Sequence, residues 1–155
     1  MMVFVPVTMA TALTLRAGAP LPPVRGFAVT PSLRRALGPA TDDEEADFAV
    51  LSAAGVAALD GLAGSRRLVL AAEVPDGHVR DRGSELGEVE VRDVAWRHVQ
   101  ALFADEESAG PAVEVAASAA SGLGLAAAFD LPAVIELSDT ADLLWYAPEE
   151  LDGLR

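Results

Sequence analysis

RRLVLAAEVPDG, residues 66–77, is the stretch that decides the fold. Five apolar residues, Leu68 to Ala72, follow two arginines and precede the turn-forming residues Pro75 to Gly77. A strand with one face in water alternates apolar and polar residues, whereas this run is apolar on both faces. Such a run is typical of a central strand that is covered on both sides. The sequence therefore predicts a buried strand that ends before Pro75.

Strand and helix patterns interleave on both sides of this stretch, which favours a sheet with helices packed on it. The predicted strands are residues 2–7, 27–30, 66–74, 88–94, 100–106 and 143–146. The predicted helices are a short one capped by Thr8, residues 31–37 capped by Thr30, residues 42–62, residues 110–121, one capped by Asp130, a single turn after Asp93 and a last turn from Pro148. We expect an α/β or α+β fold, with a mixed sheet of five or six short strands in one globular domain, residues 1–155.

The longest predicted helix has a clear start signal. Thr41 and Glu44 fit a capping box, and acidic residues fill the first turn. The large apolar residues recur at helical spacing and define the face expected to be buried: Phe48, Leu51, Leu59 and Leu62, with Gly55 between them.

Charge excludes several classes of partner. The chain of 155 residues carries 24 acidic residues against 11 basic ones, all arginine, for a formal net charge of −13. Because the arginines are scattered, we expect no binding of nucleic acid or of anionic membranes. No cysteine is present, which excludes disulfides, thiolate catalysis and cysteine-bound metal.

The first fifteen residues are uncharged and precede Ala17-Gly18-Ala19, which resembles a leader-peptide cleavage site. However, no basic residue precedes the apolar run, Pro6 interrupts it, and Val3, Val5 and Val7 alternate as in a strand. We therefore expect a cytoplasmic protein.

No cofactor or metal site is expected. SGLGLAA, residues 121–127, matches a dinucleotide fingerprint, but a helix precedes it where the fingerprint needs a strand. A phosphate-binding loop of the lysine-containing type cannot form without lysine. The acidic runs at residues 42–45 and 105–107 are explained by a helix start and by a solvated loop.

Two histidines are the catalytic candidates, since imidazole titrates near neutral pH. His78 opens a polar loop that also holds Arg80, Asp81, Arg82 and Glu85, and His98 lies in DVAWRHVQ. Either histidine with a carboxylate such as Asp81 or Glu85 would suit a small hydrolase or lyase. No catalytic motif accompanies them, and a structural role remains the other interpretation.

LLWY, residues 143–146, holds the only tyrosine and one of two tryptophans. In a strand, Leu143 and Trp145 share one face, and Leu144 and Tyr146 share the other. The strand can close the core, or one ring can form an aromatic patch for a partner. Trp145 and Tyr146, with Arg80 and Arg82, are therefore the candidate binding residues.

Four segments, MMVFVPVT, FAVTPSLRRAL, VLAAEVPD and LLWYAPEEL, together resemble a family of small acidic actinobacterial proteins of unknown function. The resemblance covers nearly the whole chain in the same order. It implies a bacterial cytoplasmic origin and carries no activity, cofactor or catalytic residue. The absence of a catalytic motif favours a non-enzymatic protein-binding or self-association domain, with the hydrolase or lyase as the alternative.

Overall fold

A computed structural model covers residues 1–155 and contains seven strands and six α-helices. The strands are β1 (Met2–Val7), β2 (Val24–Phe27), β3 (Leu68–Glu73), β4 (Val79–Asp81), β5 (Glu88–Val91), β6 (Val99–Ala104) and β7 (Leu144–Tyr146). The helices are α1 (Met9–Arg16), α2 (Pro31–Leu37), α3 (Asp43–Ala57), α4 (Gly110–Ala120), α5 (Leu125–Phe129) and α6 (Pro132–Thr140), followed by a C-terminal 3₁₀ segment, Pro148–Leu154.

All seven strands form one sheet in the order β4-β5-β2-β1-β3-β6-β7, and every neighbouring pair is antiparallel. The fold is therefore α+β, and the expectation of a mixed sheet with five or six strands is wrong. The additional strand is β4, which lies in the polar stretch predicted as a loop. It is short, since only three residues, Val79–Asp81, pair with β5. Strand β2 spans Val24–Phe27, so the predicted strand at residues 27–30 is wrong except at Phe27.

The central position of β3 is confirmed, since it lies between β1 and β6. Leu68, Leu70 and Ala72 belong to the core on one face, and Val69 and Ala71 belong to the core on the other. Helices cover both faces of the sheet at β3. This antiparallel strand therefore has the continuous apolar run that is also typical of strands in parallel sheets.

Helix α1 and the C-terminal segment cover the first face. Thr8 caps α1 as predicted, since its side chain accepts a hydrogen bond from the Thr11 N–H. Leu15 of α1 and Leu151 of the C-terminal segment are fully buried in the same cluster. The C-terminal segment therefore contributes Leu151 and Leu154 to the core.

Helix α3 packs on the second face, but in a different rotation from the predicted one. Its residues in the core of that face are mostly small: Val50, Ala53, Ala54 and Ala57. Phe48, expected to be buried, is 65% exposed. Alanines let a helix lie close to a sheet, so the largest side chains do not mark the buried face here. Leu59 is buried as expected, and Leu51 is partly buried.

Some of the helices begin or end at residues other than the predicted ones. Asp42 caps α3 and forms the capping box with Glu45 rather than Thr41 with Glu44, and the helix ends at Ala57. Helix α6 begins after Leu131 without a side-chain cap, so Asp130 is not its cap. Asp93 does not cap the turn at Trp96–His98, which has no cap from that side chain.

Helices α4, α5 and α6 form a third cluster against the end of α3. The boundaries of α4 agree with the prediction to within one residue, and Gly122, at φ +78°, separates α4 from α5. No helix is both long enough and apolar enough to cross a membrane.

Candidate functional site

A cleft of about 480 Å³ opens between α3, the α5–α6 pair and the chain that leads into β7. It lies on the α3 side of the sheet. Helix α3 contributes Phe48, Leu51, Ser52 and Gly55 to its lining. This cleft has the size of a ligand-binding pocket, and its lining combines apolar and polar groups as such pockets do.

The mouth of the cleft carries two exposed apolar side chains. Phe48 is 65% exposed and Ile135 of α6 is 48% exposed, and both line it. Deeper in the cleft, Leu51, Phe129 and Leu143 are partly buried. Two large apolar side chains are therefore exposed at the entrance of a cavity whose walls are partly apolar.

The floor of the cleft contains a buried ion pair. Nε and Nη2 of Arg67 donate to the carboxylate oxygens of Asp105 at 2.9 and 2.7 Å. The backbone N–H of Arg67 also donates to Asp105, at 2.9 Å. Asp105 is fully buried, so the expectation that residues 105–107 form a solvated acidic run is wrong for its first member. The ion pair neutralises the charge of Arg67.

Nη1 of Arg67 is the guanidinium nitrogen that forms no hydrogen bond with Asp105. Its protein acceptor is the Gly55 carbonyl oxygen at 3.5 Å, the limit of a hydrogen bond. A Cβ atom on residue 55 would lie 3.3 Å from Nη1 and 3.1 Å from Cδ1 of Leu143. The glycine therefore allows both Arg67 and Leu143 to approach α3 closely.

Two carboxylates, Asp139 and Asp142, lie at the rim of the cleft. Both residues are exposed, and neither takes part in an ion pair. Because Asp105 compensates Arg67, these two charges are uncompensated. The cleft is therefore negative at its entrance and neutral at its floor.

Trp145 extends the apolar surface from the cleft to the edge of the sheet. It is 61% exposed and pairs in register with Phe103 of β6, which packs against the α3 side of the core. Leu143, two residues earlier, lines the cleft. Tyr146 instead packs against the core on the α1 side. The sequence left open whether one ring is exposed, and the exposed ring is Trp145.

The predicted polar loop lies at the other end of the sheet. Arg80 and Asp81 are exposed on β4, the edge strand opposite β7. Asp81 accepts a hydrogen bond from the Gly83 N–H at 2.8 Å, and Arg82 lies 3.8 Å from a carboxylate oxygen of Glu90. The structure therefore separates Arg80 and Arg82 from Trp145 and Tyr146, with which they were grouped as candidate binding residues.

Neither histidine forms a hydrogen bond or an ion pair with a carboxylate. Nδ1 of His98 accepts the Ala95 N–H at 3.0 Å and closes a single 3₁₀ turn. Burial lowers the pKa of His98, and electrostatic repulsion from Arg97 and His78 lowers it further. Nδ1 of His78 is buried without a hydrogen-bond partner. Neither histidine lines the cleft, and Glu85 is exposed away from it.

The model of one protein family, described as a family of unknown function (DUF6912), matches residues 1–154. The chain belongs to this family. The match covers the same extent as the resemblance found in the sequence. Comparison with curated proteins and comparison with solved structures found no match.

Sequence reasoning missed the residues that form the cleft in this DUF6912 member. The sequence pattern assigns Phe48 to the core, places Ile135 only within a helix, and does not single out Asp139. Arg67 and Asp105 lie 38 residues apart and meet only because β3 and β6 pair. One signal was available: α3 is rich in alanine, and a lone Phe48 on such a helix need not mark its buried face.

Proposed function

We propose that the protein is a non-enzymatic binding domain whose cleft takes an apolar segment of a basic partner protein. The observation that carries this proposal is the cleft itself. Its entrance combines two exposed apolar side chains, Phe48 and Ile135, with two unpaired carboxylates, Asp139 and Asp142.

The apolar part of the proposal follows from exposure. Phe48, Ile135 and Trp145 lie on the α3 side of the sheet, and each is about half exposed or more. Burying such a side chain contributes roughly 1.5–3 kcal/mol. Grouped exposed apolar residues mark interaction sites, whereas single ones do not.

Charge selects the partner. Asp139 and Asp142 would attract basic side chains that flank an apolar segment, and the net charge of −13 would speed the encounter. A second copy of the chain would bring the same carboxylates to the interface. Charge therefore supports a basic partner over self-association through this surface.

No observation in the structure supports the alternative function, a hydrolase or lyase. It requires a histidine beside a carboxylate in a pocket. His98 uses Nδ1 to hold its own turn, and the candidate carboxylates Asp81 and Glu85 lie outside the cleft. The binding domain is the function that the geometry supports.

Selection of a random peptide library displayed on phage tests the proposal. We expect enrichment of peptides that combine Leu, Ile or Phe with Arg or Lys. The double variant Phe48→Ser, Ile135→Ser should weaken binding of an enriched peptide by at least about tenfold, because it loses the apolar entrance. Val115→Ser is the matched control, since Val115 is 62% exposed on α4 and does not line the cleft.

Three outcomes would contradict the proposal. They are failure to enrich any peptide, enrichment of acidic peptides, and an equal loss with Val115→Ser. A dimer in sedimentation equilibrium that the double variant abolishes would instead favour self-association through the cleft.

A further inference from the structure

The outer edge of β7 is open. β7 is the last strand of the sheet and pairs with β6 alone. Outside that pairing, no turn or loop backbone hydrogen bond involves Leu144, Trp145 or Tyr146. In an antiparallel pair, alternate residues direct their N–H and C=O groups away from the partner strand. β7 therefore presents backbone donors and acceptors to solvent beside the cleft.

The two edges of the sheet differ in their protection. β4 carries Arg80 and Asp81, and Arg82 follows directly. These charges disfavour the pairing of another strand with that edge. β7 consists of Leu144, Trp145 and Tyr146, which have no charge, and its tryptophan is 61% exposed. An uncharged edge strand with an exposed aromatic residue is suited to pairing with a strand of another chain.

We propose that the basic partner segment binds as an eighth strand along β7; this proposal rests on the function proposed above. Side chains of an added strand alternate between the two faces of the sheet. Those on the α3 face would lie beside Trp145 and reach the cleft next to Leu143.

The opposite face offers a second acidic surface, in addition to Asp139 and Asp142 at the rim of the cleft. There the chain continues from Tyr146 into the C-terminal 3₁₀ segment, which carries the exposed Glu149 and Glu150. Basic side chains on that face of the added strand would meet these carboxylates, and basic residues that flank the strand would meet Asp139 and Asp142. The bound segment therefore alternates apolar and basic residues with a period of two, rather than with the spacing of a helix.

A backbone N-methyl scan of a peptide enriched in the phage selection tests this mode of binding. Methylation removes one N–H at a time and leaves the side chains unchanged. We expect losses of at least about tenfold at alternate positions and at most about twofold at the positions between them. Amide hydrogen exchange should slow in Leu144–Tyr146 on addition of the peptide, whereas β4, Val79–Asp81, serves as the control that does not change.

The results separate the two proposals. If methylation has no alternating effect, and the peptide still depends on Phe48 and Ile135, strand addition is overturned and binding at the cleft stands. Losses spaced three or four residues apart would overturn strand addition in favour of a helical segment. If no peptide binds the wild-type protein, both proposals fail.

Discussion

Arg67 and Asp105 form a nearly fully buried ion pair that joins the start of β3 to the end of β6. Two side-chain hydrogen bonds of 2.9 and 2.7 Å and one from the Arg67 backbone hold it. Arg67 is 4% exposed, yet it also lines the cleft. The pair therefore supports the floor of the candidate site and neutralises the one cationic side chain that the floor contains.

Removal of Asp105 should be strongly destabilising. Asp105→Ala leaves a buried guanidinium without its partner, which costs roughly 3–5 kcal/mol of unfolding free energy. Urea denaturation measures the change. The control is Asp152→Ala, which removes the exposed ion pair with Arg16 and should have a much smaller effect. Equal effects of the two substitutions would show that the buried pair is not a major contributor to stability.

Phe48 should matter for binding and little for stability. Because it is 65% exposed, Phe48→Ala should change the unfolding free energy by no more than about 0.5 kcal/mol. Phe27→Ala removes a fully buried ring from the same core face and should cost about 3–5 kcal/mol. Thermal denaturation of both variants tests the rotation of α3. A large loss with Phe48→Ala would contradict it.

The buried Leu151 and the exposed Trp145 should contribute differently to stability. Tyr146 packs against the core and Leu151 is fully buried, whereas Trp145 is exposed. Leu151→Ala should cost about 2–5 kcal/mol, while Trp145→Ser should leave the melting temperature nearly unchanged and weaken peptide binding. Deletion of residues 143–155 should unfold the protein, as circular dichroism would show. A cooperative melt of the truncated chain near the full-length midpoint would mean that this segment is peripheral.

Stability should fall in mild acid because of His98. Its folded pKa lies below the ordinary value of 6.5, first through burial and then through electrostatic repulsion from Arg97 and His78. The unfolded state therefore binds a proton before the folded state does, so stability is lost as pH falls from the unfolded pKa towards the folded one. Chemical denaturation at about pH 7.5 and about pH 5.5 should show a larger loss for the wild type than for His98→Gln. An equal loss would show that His98 does not contribute.

Local signals predicted much of the fold. The caps Thr8 and Thr30 and the proline at the start of α2 place helices correctly, since a cap depends on residues close in sequence. The apolar run of β3 identified the central strand. Strand direction could not be predicted, because a strand buried on both faces has the same pattern in parallel and antiparallel sheets.

The site depends on contacts that no local pattern encodes. Arg67 and Asp105 are partners only through the register of β3 and β6. Phe48 and Ile135 line one entrance only because α5 packs on α3 and α6 packs on α4 and α5. The sequence singled out Trp145 through its rarity, but exposure distinguishes it from Tyr146, and exposure follows from the position of β7 at the edge of the sheet.

Charge reversal at the rim tests the central claim most directly. Isothermal titration should compare an enriched basic peptide on wild-type protein, on the variant Asp139→Arg, Asp142→Arg, and on the control Glu114→Arg, an exposed acidic residue of α4 outside the cleft. The account predicts that the double variant binds at least about tenfold more weakly while the control changes by less than about twofold. Equal affinity for all three proteins would contradict recognition of a basic segment at this cleft.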